Sequence, residues 1–164
     1  MSPEFEPGRL VEVLARHAVE YVLIGGFATV QHGSPFLTQD LDITPAKSAG
    51  NLARLSAALD DLNALVRTSA EPDGLPFAHD GSSLGDALVW NLSTDFGDLD
   101  ISFVPDGTSG FDDLRRDADI IEIHGIEVRV ASLADVIRSK QAANRPKDQR
   151  VLPTLREILA ARHG

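Results

Sequence analysis

Two short stretches of the chain carry pairs of aspartates separated by one residue: Asp40 and Asp42 in "QDLDIT", and Asp98 and Asp100 in "GDLDISF". On a β-strand, residues two apart face the same side, so each pair would present both carboxylates together. If the two strands are neighbours, these carboxylates raise each other's pKa unless a cation neutralises them. Mg²⁺ suits such a cluster, because it prefers oxygen ligands and keeps waters alongside substrate phosphates.

A pair of glycines, Gly25 and Gly26, follows the apolar run "YVLI" at residues 21–24. Glycines let the backbone approach a ligand closely, and the N–H groups at the start of a following helix attract phosphate oxygens. Each feature alone has a simpler explanation. An isolated Asp-x-Asp is common on solvated strand faces, and Gly-Gly is common in tight turns between a strand and a helix. Together, the features favour a site that binds metal and phosphate.

The hydrophobic periodicity predicts the elements that would position these residues. Helices are predicted at residues 8–18, 27–32, 48–66, near 111–118, at 132–145 and from Pro146 or Lys147 onward. Strands are predicted at 21–24, 39–44, 87–94 and 97–104, with a surface loop at 70–86 and a hairpin at 119–131 that turns at His124 and Gly125. This order predicts a single α+β domain over residues 1–164, in which helices flank a mixed β-sheet.

The composition narrows the classes of partner. Lys and Arg total 15 against 25 Asp and Glu, a formal net charge of -10, which disfavours broad contact with nucleic-acid phosphates. A local basic strip remains for such contact, formed by Arg138, Lys140, Arg145, Lys147 and Arg150. The chain has no cysteine, which excludes disulfides and thiolate metal sites. It also has no long apolar segment and no leader, so we expect a cytoplasmic protein without membrane association.

The glycine pair, thirteen intervening residues, Asp40-Leu41-Asp42 and the later Asp100 resemble the signature of the nucleotidyltransferase superfamily, which includes DNA polymerase beta and the minimal nucleotidyltransferases. The resemblance implies a nucleotidyltransferase-like fold, one or two Mg²⁺ ions and an NTP substrate. The implied metal positions are Asp40, Asp42 and Asp100, and the implied nucleotide positions are Gly25, Gly26 and Thr38. Asp100 would also activate the acceptor hydroxyl.

The stretch "SLADVIRSKQAANRPKDQRVLPTL" is similar to the closing segment of AbiEii-like nucleotidyltransferase toxins. This resemblance implies functional roles for Lys140 and Asp148. Beside an acidic site, Lys140 and Arg145 are also expected to contact the triphosphate. Without the resemblance, the same stretch is a cationic helix end that complements the helix dipole. The chain departs from many relatives at Phe36, where they have an arginine, so one phosphate contact is expected to be missing or to come from elsewhere.

The leading hypothesis is an enzyme that transfers a nucleoside monophosphate from an NTP such as ATP to an acceptor hydroxyl and releases pyrophosphate. By resemblance, the acceptor is a tRNA 3' end or a protein side chain, and the setting is a toxin-antitoxin or phage-defence module with a cognate antitoxin or toxin partner. Two alternatives stay open. One is a weakly active or inactive antitoxin or partner subunit that acts by binding protein, and the other is a regulator that binds nucleotide without releasing pyrophosphate.

Overall fold

A computed structural model of the protein describes residues 3–163, which form a seven-stranded mixed sheet and seven helices. The strands are β1 (Tyr21–Ile24), β2 (Asp40–Pro45), β3 (Leu65–Val66), β4 (Val89–Thr94), β5 (Gly97–Ser102), β6 (Asp119–Ile123) and β7 (Ile126–Val130). The helices are α1 (Pro7–Arg16), α2 (Gly25–Gln31), α3 (Ala49–Asp61), α4 (Gly81–Leu84), α5 (Phe111–Arg116), α6 (Leu133–Ala143) and α7 (Pro146–His163).

The strand order across the sheet is β3-β4-β5-β2-β1-β7-β6. Strand β2 lies at the centre, antiparallel to β1 and parallel to β5, while β4 runs antiparallel to both β5 and β3. The predicted α+β fold with a mixed sheet is therefore confirmed. The predicted domain also includes residues 1, 2 and 164, which lie outside the described residues.

The two central acidic strands bury one face and leave the other open. The apolar residues of β2 and β5 are completely buried in the core, namely Leu41, Ile43, Leu99 and Ile101. Helices α1 and α3 add further completely buried leucines to the same core, namely Leu10, Leu14, Leu55 and Leu59. Each such side chain contributes about 1.5–3 kcal/mol to stability through burial. The aspartates alternate with these residues and consequently face away from the core.

Most predicted elements differ from the structure by one or two residues at an end, and three differences change how the fold is interpreted. Helix α2 begins at Gly25, so the two glycines form its first turn and do not precede it. The helix predicted at 48–66 ends at Asp61, because Asn63 adopts a left-handed conformation with φ of 51° and the chain then enters β3. The predicted loop at 70–86 contains the short helix α4, which Asp80 caps by accepting a hydrogen bond from the Ser83 N–H. Within residues 3–163, no helix is long and apolar enough to cross a membrane.

Candidate active site

Three carboxylates from two strands converge on the open face of the sheet. Asp40 pairs with Asp98, and Asp42 pairs with Asp100, in the parallel register of β2 and β5. Oxygen atoms of Asp40, Asp42 and Asp100 all lie within 4.8 Å of one another. In the described part of the chain, this is the one group of three or more side chains that could hold a metal ion together. All of its ligand atoms are carboxylate oxygens, the donor type that Mg²⁺ prefers.

The crowding of these carboxylates changes their acidity. Burial, followed by the charge of Asp40, raises the pKa of Asp42 to about 7. Burial, followed by a hydrogen bond with Asp40 and the charge of Asp42, raises the pKa of Asp100 to about 8. Both shifts mean that the protein's own cations do not fully compensate the negative charge of the cluster. A divalent cation would supply the missing compensation, so the residues present fit Mg²⁺.

Gly25 is needed at its position by Asp42 itself. Gly25 has φ of +72°, and a β-carbon built on it would lie 2.1 Å from Asp42 Oδ2. A β-carbon on Gly26 would lie 3.0 Å from Thr38 Oγ1. This hydroxyl lies 3.2 Å from both the carbonyl oxygen and Oδ1 of Asp40, to which it donates. The sequence argument assigned the glycines to close approach of a ligand. In the structure, they first accommodate the side chains of the acidic cluster and its neighbour.

The cations near Asp42 come from the junction of α6 and α7, where Asp148 holds them. Asp148 is completely buried and accepts hydrogen bonds from Arg145 Nε at 2.8 Å and from the Arg145 backbone N–H at 3.1 Å. Lys140 Nζ lies 3.6 Å from Asp148 Oδ1. Burial raises the pKa of Asp148, but the hydrogen bonds from Arg145 outweigh it and hold that pKa below its usual value. Asp148 thus orients Lys140 and Arg145 from behind.

A cavity of about 710 Å³ lies over the acidic cluster. Eight of the nine predicted site residues line it, namely Gly25, Gly26, Thr38, Asp40, Asp42, Asp100, Lys140 and Arg145. The ninth, Asp148, is not among its lining residues, so we assign it a positioning role and no direct contact with a ligand in the cavity. The volume lies within the range typical of sites for small molecules and cofactors.

Sequence reasoning missed Arg67. The Nη2 atom of its guanidinium donates a hydrogen bond to Asp100 Oδ1. Its Nε atom donates to the Leu92 carbonyl oxygen at 3.3 Å and lies 3.5 Å from Asp98 Oδ1. The pairing of β3 with β4 brings Arg67 to this point, since its backbone N–H donates to the Asn91 carbonyl oxygen. The segment was predicted to end a helix, so the sequence contained no signal that placed Arg67 beside an aspartate 33 positions away.

Asn91 is a second residue that the sequence argument did not select. It lies directly opposite Asp100 in the register of β4 and β5, and it lines both the main cavity and a neighbouring groove of about 460 Å³. The alternation of polar and apolar residues in "VWNLST" could have indicated that Asn91 shares a face with the aspartates, given the pairing of the two strands.

The predicted basic strip is partly neutralised within the fold. Arg138 pairs with Asp113 at 3.2 Å and with Asp135 at 3.1 Å, and Lys140 and Arg145 both contact Asp148. Three of the five cations of the strip, Arg138, Lys140 and Arg145, therefore already have carboxylate partners inside the protein. A strip of this kind offers less free positive charge to a phosphate backbone than its sequence suggests.

Phe36 lies on the wall of the main cavity with 41% of its surface exposed, and the adjacent Leu37 is 94% exposed. The position that carries an arginine in many members of the resembled family is thus an accessible aromatic ring beside the acidic cluster. The cations that line this cavity are Lys140, Arg145 and Lys147, among residues 3–163. Charged contacts to phosphate within this cavity are therefore limited, among the described residues, to these three side chains.

Comparison with known proteins identifies the fold. A Thermotoga maritima protein of solved structure, described as a candidate nucleotidyltransferase, matches over 97% of both chains with 19% sequence identity and a TM-score of 0.52. A Helicobacter pylori protein with the same description matches 80% of this chain and 55% of its own, with 19% identity and a TM-score of 0.36. No protein-family model and no curated protein matches the sequence. The chain therefore has a nucleotidyltransferase-like α+β fold, and its AbiEii-like subtype stays a prediction.

Proposed function

We propose that the protein is a Mg²⁺-dependent nucleotidyltransferase, which transfers a nucleoside monophosphate from an NTP to an acceptor hydroxyl. The observation that carries this proposal is the convergence of Asp40, Asp42 and Asp100 within 4.8 Å on the wall of a large cavity. The fold shared with the Thermotoga maritima protein adds support, because that protein is described as a candidate nucleotidyltransferase. Fold alone would not assign the activity.

The acidic cluster would hold the metal. Asp40 and Asp42 offer carboxylate oxygens from β2, and Asp100 offers one from β5. Bound Mg²⁺ supplies charge that neutralises the phosphate oxygens and orients the reacting groups. Asp100 also accepts the proton of the acceptor hydroxyl, the role that the sequence resemblance implies for this carboxylate.

The phosphate tail of the NTP would lie against the cations of α6 and α7. Lys140 and Arg145 line the cavity, and the charges of both act on Asp42, so both reach the part of the cavity where a metal-bound triphosphate would sit. Gly25 and Gly26 offer backbone N–H groups on the same wall, and Thr38 adds a hydroxyl. The planar guanidinium of Arg145 can bind two phosphate oxygens at once, whereas the ammonium group of Lys140 acts as a single point charge.

The reaction balances with these groups alone. A bond forms between the acceptor oxygen and the α-phosphorus, while the bond from the α-phosphorus to the bridging oxygen of the β-phosphate breaks. The proton of the acceptor passes to Asp100, and pyrophosphate leaves with the bond's electron pair. The side chains chiefly position reactants and offset charge, as is general in phosphoryl transfer.

The finer features of the proposal rest on the sequence resemblance. We infer an NTP such as ATP, an acceptor at a tRNA 3' end or on a protein side chain, a cytoplasmic location, and a toxin-antitoxin or phage-defence setting with a cognate protein partner. A second candidate is a weakly active or inactive partner subunit. Phe36 favours this second candidate, because an exposed phenyl ring stands where the resembled family has a phosphate-binding arginine.

The proposal is tested by incubating the purified protein with Mg²⁺, each α-³²P-labelled NTP in turn, and either total tRNA or cell lysate. We expect label on an acceptor and release of pyrophosphate, both lost in an Asp42→Asn variant. An Asp117→Asn variant is the matched control, because Asp117 is exposed and lies outside the cavity lining. Nucleotide binding without pyrophosphate release would instead support the partner or regulator alternatives.

A further inference from the structure

The acidic cluster is flanked by cations on two different sides. One group acts on the charge of Asp42 and comes from α6, α7 and the residues between them, namely Lys140, Arg145 and Lys147. Arg67 contacts Asp100 and Asp98 on β5, on the side that faces β4 and β3. Asp42 and Asp100 are partners in the register of β2 and β5, so the two groups of cations act on different members of one carboxylate pair.

This arrangement gives the reaction a direction, if the proposed function holds. In phosphoryl transfer, the attacking and leaving oxygens lie roughly in line on opposite sides of the phosphorus. A triphosphate held by Lys140 and Arg145 directs its pyrophosphate towards α6 and α7. The acceptor hydroxyl must then arrive from the other side, past Asp100, where the structure has a second recess.

That recess is the groove of about 460 Å³ lined by Arg67, Thr68, Ser69, Pro72, Asn91 and Asp98. We name it the β3–β5 groove. It shares the lining residue Asn91 with the main cavity, and Asn91 lies directly opposite Asp100 in the register of β4 and β5. Among the described residues, neither the Asn91 side chain nor Arg67 Nη1 has a hydrogen-bond partner, so both are free to bind an incoming group. The groove's hydroxyl, amide and guanidinium groups match the polar atoms of a peptide backbone.

The segment of the chain that contains the groove has a strongly negative net charge. Residues 65–104, which form β3 to β5 and the connections between them, contain one cation, Arg67, and no lysine. The same segment contains seven carboxylates: Glu71, Asp73, Asp80, Asp86, Asp95, Asp98 and Asp100. The one cation is already engaged with two of the carboxylates. A nucleic-acid backbone would be repelled here, since its binding depends on clustered cations, whereas a positively charged polypeptide would be attracted.

We infer that the β3–β5 groove is the acceptor subsite of the proposed transferase, and that its acceptor is a serine, threonine or tyrosine hydroxyl within a basic segment of a protein. Asn91 and Arg67 bind the backbone of that segment beside Asp100. The carboxylates on the 68–73 turn attract its positive side chains. The inference rests on the proposed function and selects the protein acceptor over the tRNA acceptor.

The test uses two synthetic peptides that contain the same serine, threonine and tyrosine. Lysines and arginines flank these hydroxyls in one peptide, and glutamates flank them in the other. Binding of each fluorescent peptide is measured by anisotropy without Mg²⁺ or NTP, and label transfer from α-³²P NTP is measured with Mg²⁺, beside total tRNA. The unsubstituted protein is compared with a Glu71→Lys/Asp73→Lys variant, whose substitutions lie on the turn that borders the groove through Pro72.

The matched control is a Glu122→Lys/Glu127→Lys variant. These residues are exposed and pair with each other across β6 and β7, at the opposite end of the sheet from β3. Both variants change the net charge equally, so only the position of the charge differs. For the basic peptide, we expect the groove variant to raise both the Kd and the KM by about tenfold or more, and the control to leave them near the wild-type values.

Different failures separate the two proposals. Label on tRNA or on the acidic peptide as readily as on the basic peptide would overturn the inference while supporting the transferase. Equal effects of the groove and control variants would also overturn the inference. Absence of label on every acceptor, together with no release of pyrophosphate, would refute the proposed function and the acceptor assignment that rests on it.

Discussion

A Gly25→Ala substitution would place a methyl group in the space that the Asp42 carboxylate occupies. The built β-carbon lies 2.1 Å from Asp42 Oδ2 and 2.7 Å from its Cγ, and Gly25 has φ of +72°. Alanine in this left-handed conformation costs about 1–2 kcal/mol. Displacing a packed side chain costs a further amount of about 1–3 kcal/mol. We therefore expect the free energy of unfolding to fall by about 2–5 kcal/mol in total.

Gly125→Ala is a closely matched control. Gly125 has φ of +78°, and no atom lies within 4 Å of a β-carbon built on it. It should incur the conformational cost alone, so the two variants should differ by the cost of displacing Asp42, about 1–3 kcal/mol. The measurement is urea denaturation of both variants in EDTA. A Mg²⁺ titration of each folded variant is the second readout. Mg²⁺ affinity should fall only for Gly25→Ala, because only that change moves a carboxylate of the proposed metal site.

Two results would refute this reasoning. Equal destabilisation by Gly25→Ala and Gly125→Ala would mean that Asp42 does not lie against the first turn of α2. Unchanged Mg²⁺ binding in a destabilised Gly25→Ala variant would mean that Asp42 is displaced without consequence for the metal. In an Asp42→Ala background, the Gly25→Ala change should cost less but not nothing, because the remaining Cβ of residue 42 would still lie 2.8 Å from the added methyl group.

Three further predictions concern the charges of the site. Burial raises the pKa of Asp42 to about 7 and that of Asp100 to about 8, so these groups ionise more readily in the unfolded chain. The unfolding free energy of the metal-free protein should therefore fall as the pH rises from 3.8, the ordinary pKa of an aspartate, towards 8. Added Mg²⁺ should reverse this loss of stability. Denaturation curves in EDTA that do not change over this pH range would contradict the prediction. Asp148→Asn removes the buried negative charge that Arg145 and Lys140 share and should lower the unfolding free energy by about 1–3 kcal/mol in urea denaturation, with a neutral result opposing a positioning role. Arg67→Ala removes the cation that shares Asp100 with the proposed metal, so calorimetry should show about tenfold tighter Mg²⁺ binding; weaker binding would mean that Arg67 mainly holds Asp100 in place.

The sequence predicted those parts of the fold in which each residue's neighbours along the chain decide its environment. The alternation in "DLDI" on both acidic strands sufficed to place the aspartates on one face, because successive side chains of a strand point to opposite sides. The boundary of α3 was less predictable. The leucine spacing continues through Leu62 and Leu65, yet the left-handed Asn63 ends the helix and the pairing of β3 with β4 takes up the residues that follow.

The sequence by itself determined which residue types were available for a metal and phosphate site and how they share the faces of their elements. Only the tertiary structure decided that β2 and β5 are adjacent, which brings Asp42 and Asp100 together although 58 positions separate them. It also decided that Arg67 contacts Asp100 and that Asp148 lies behind Lys140 and Arg145. The physical reason is that strand order and ion pairing between distant segments depend on how the whole sheet and its helices pack, whereas side-chain periodicity depends only on local backbone geometry.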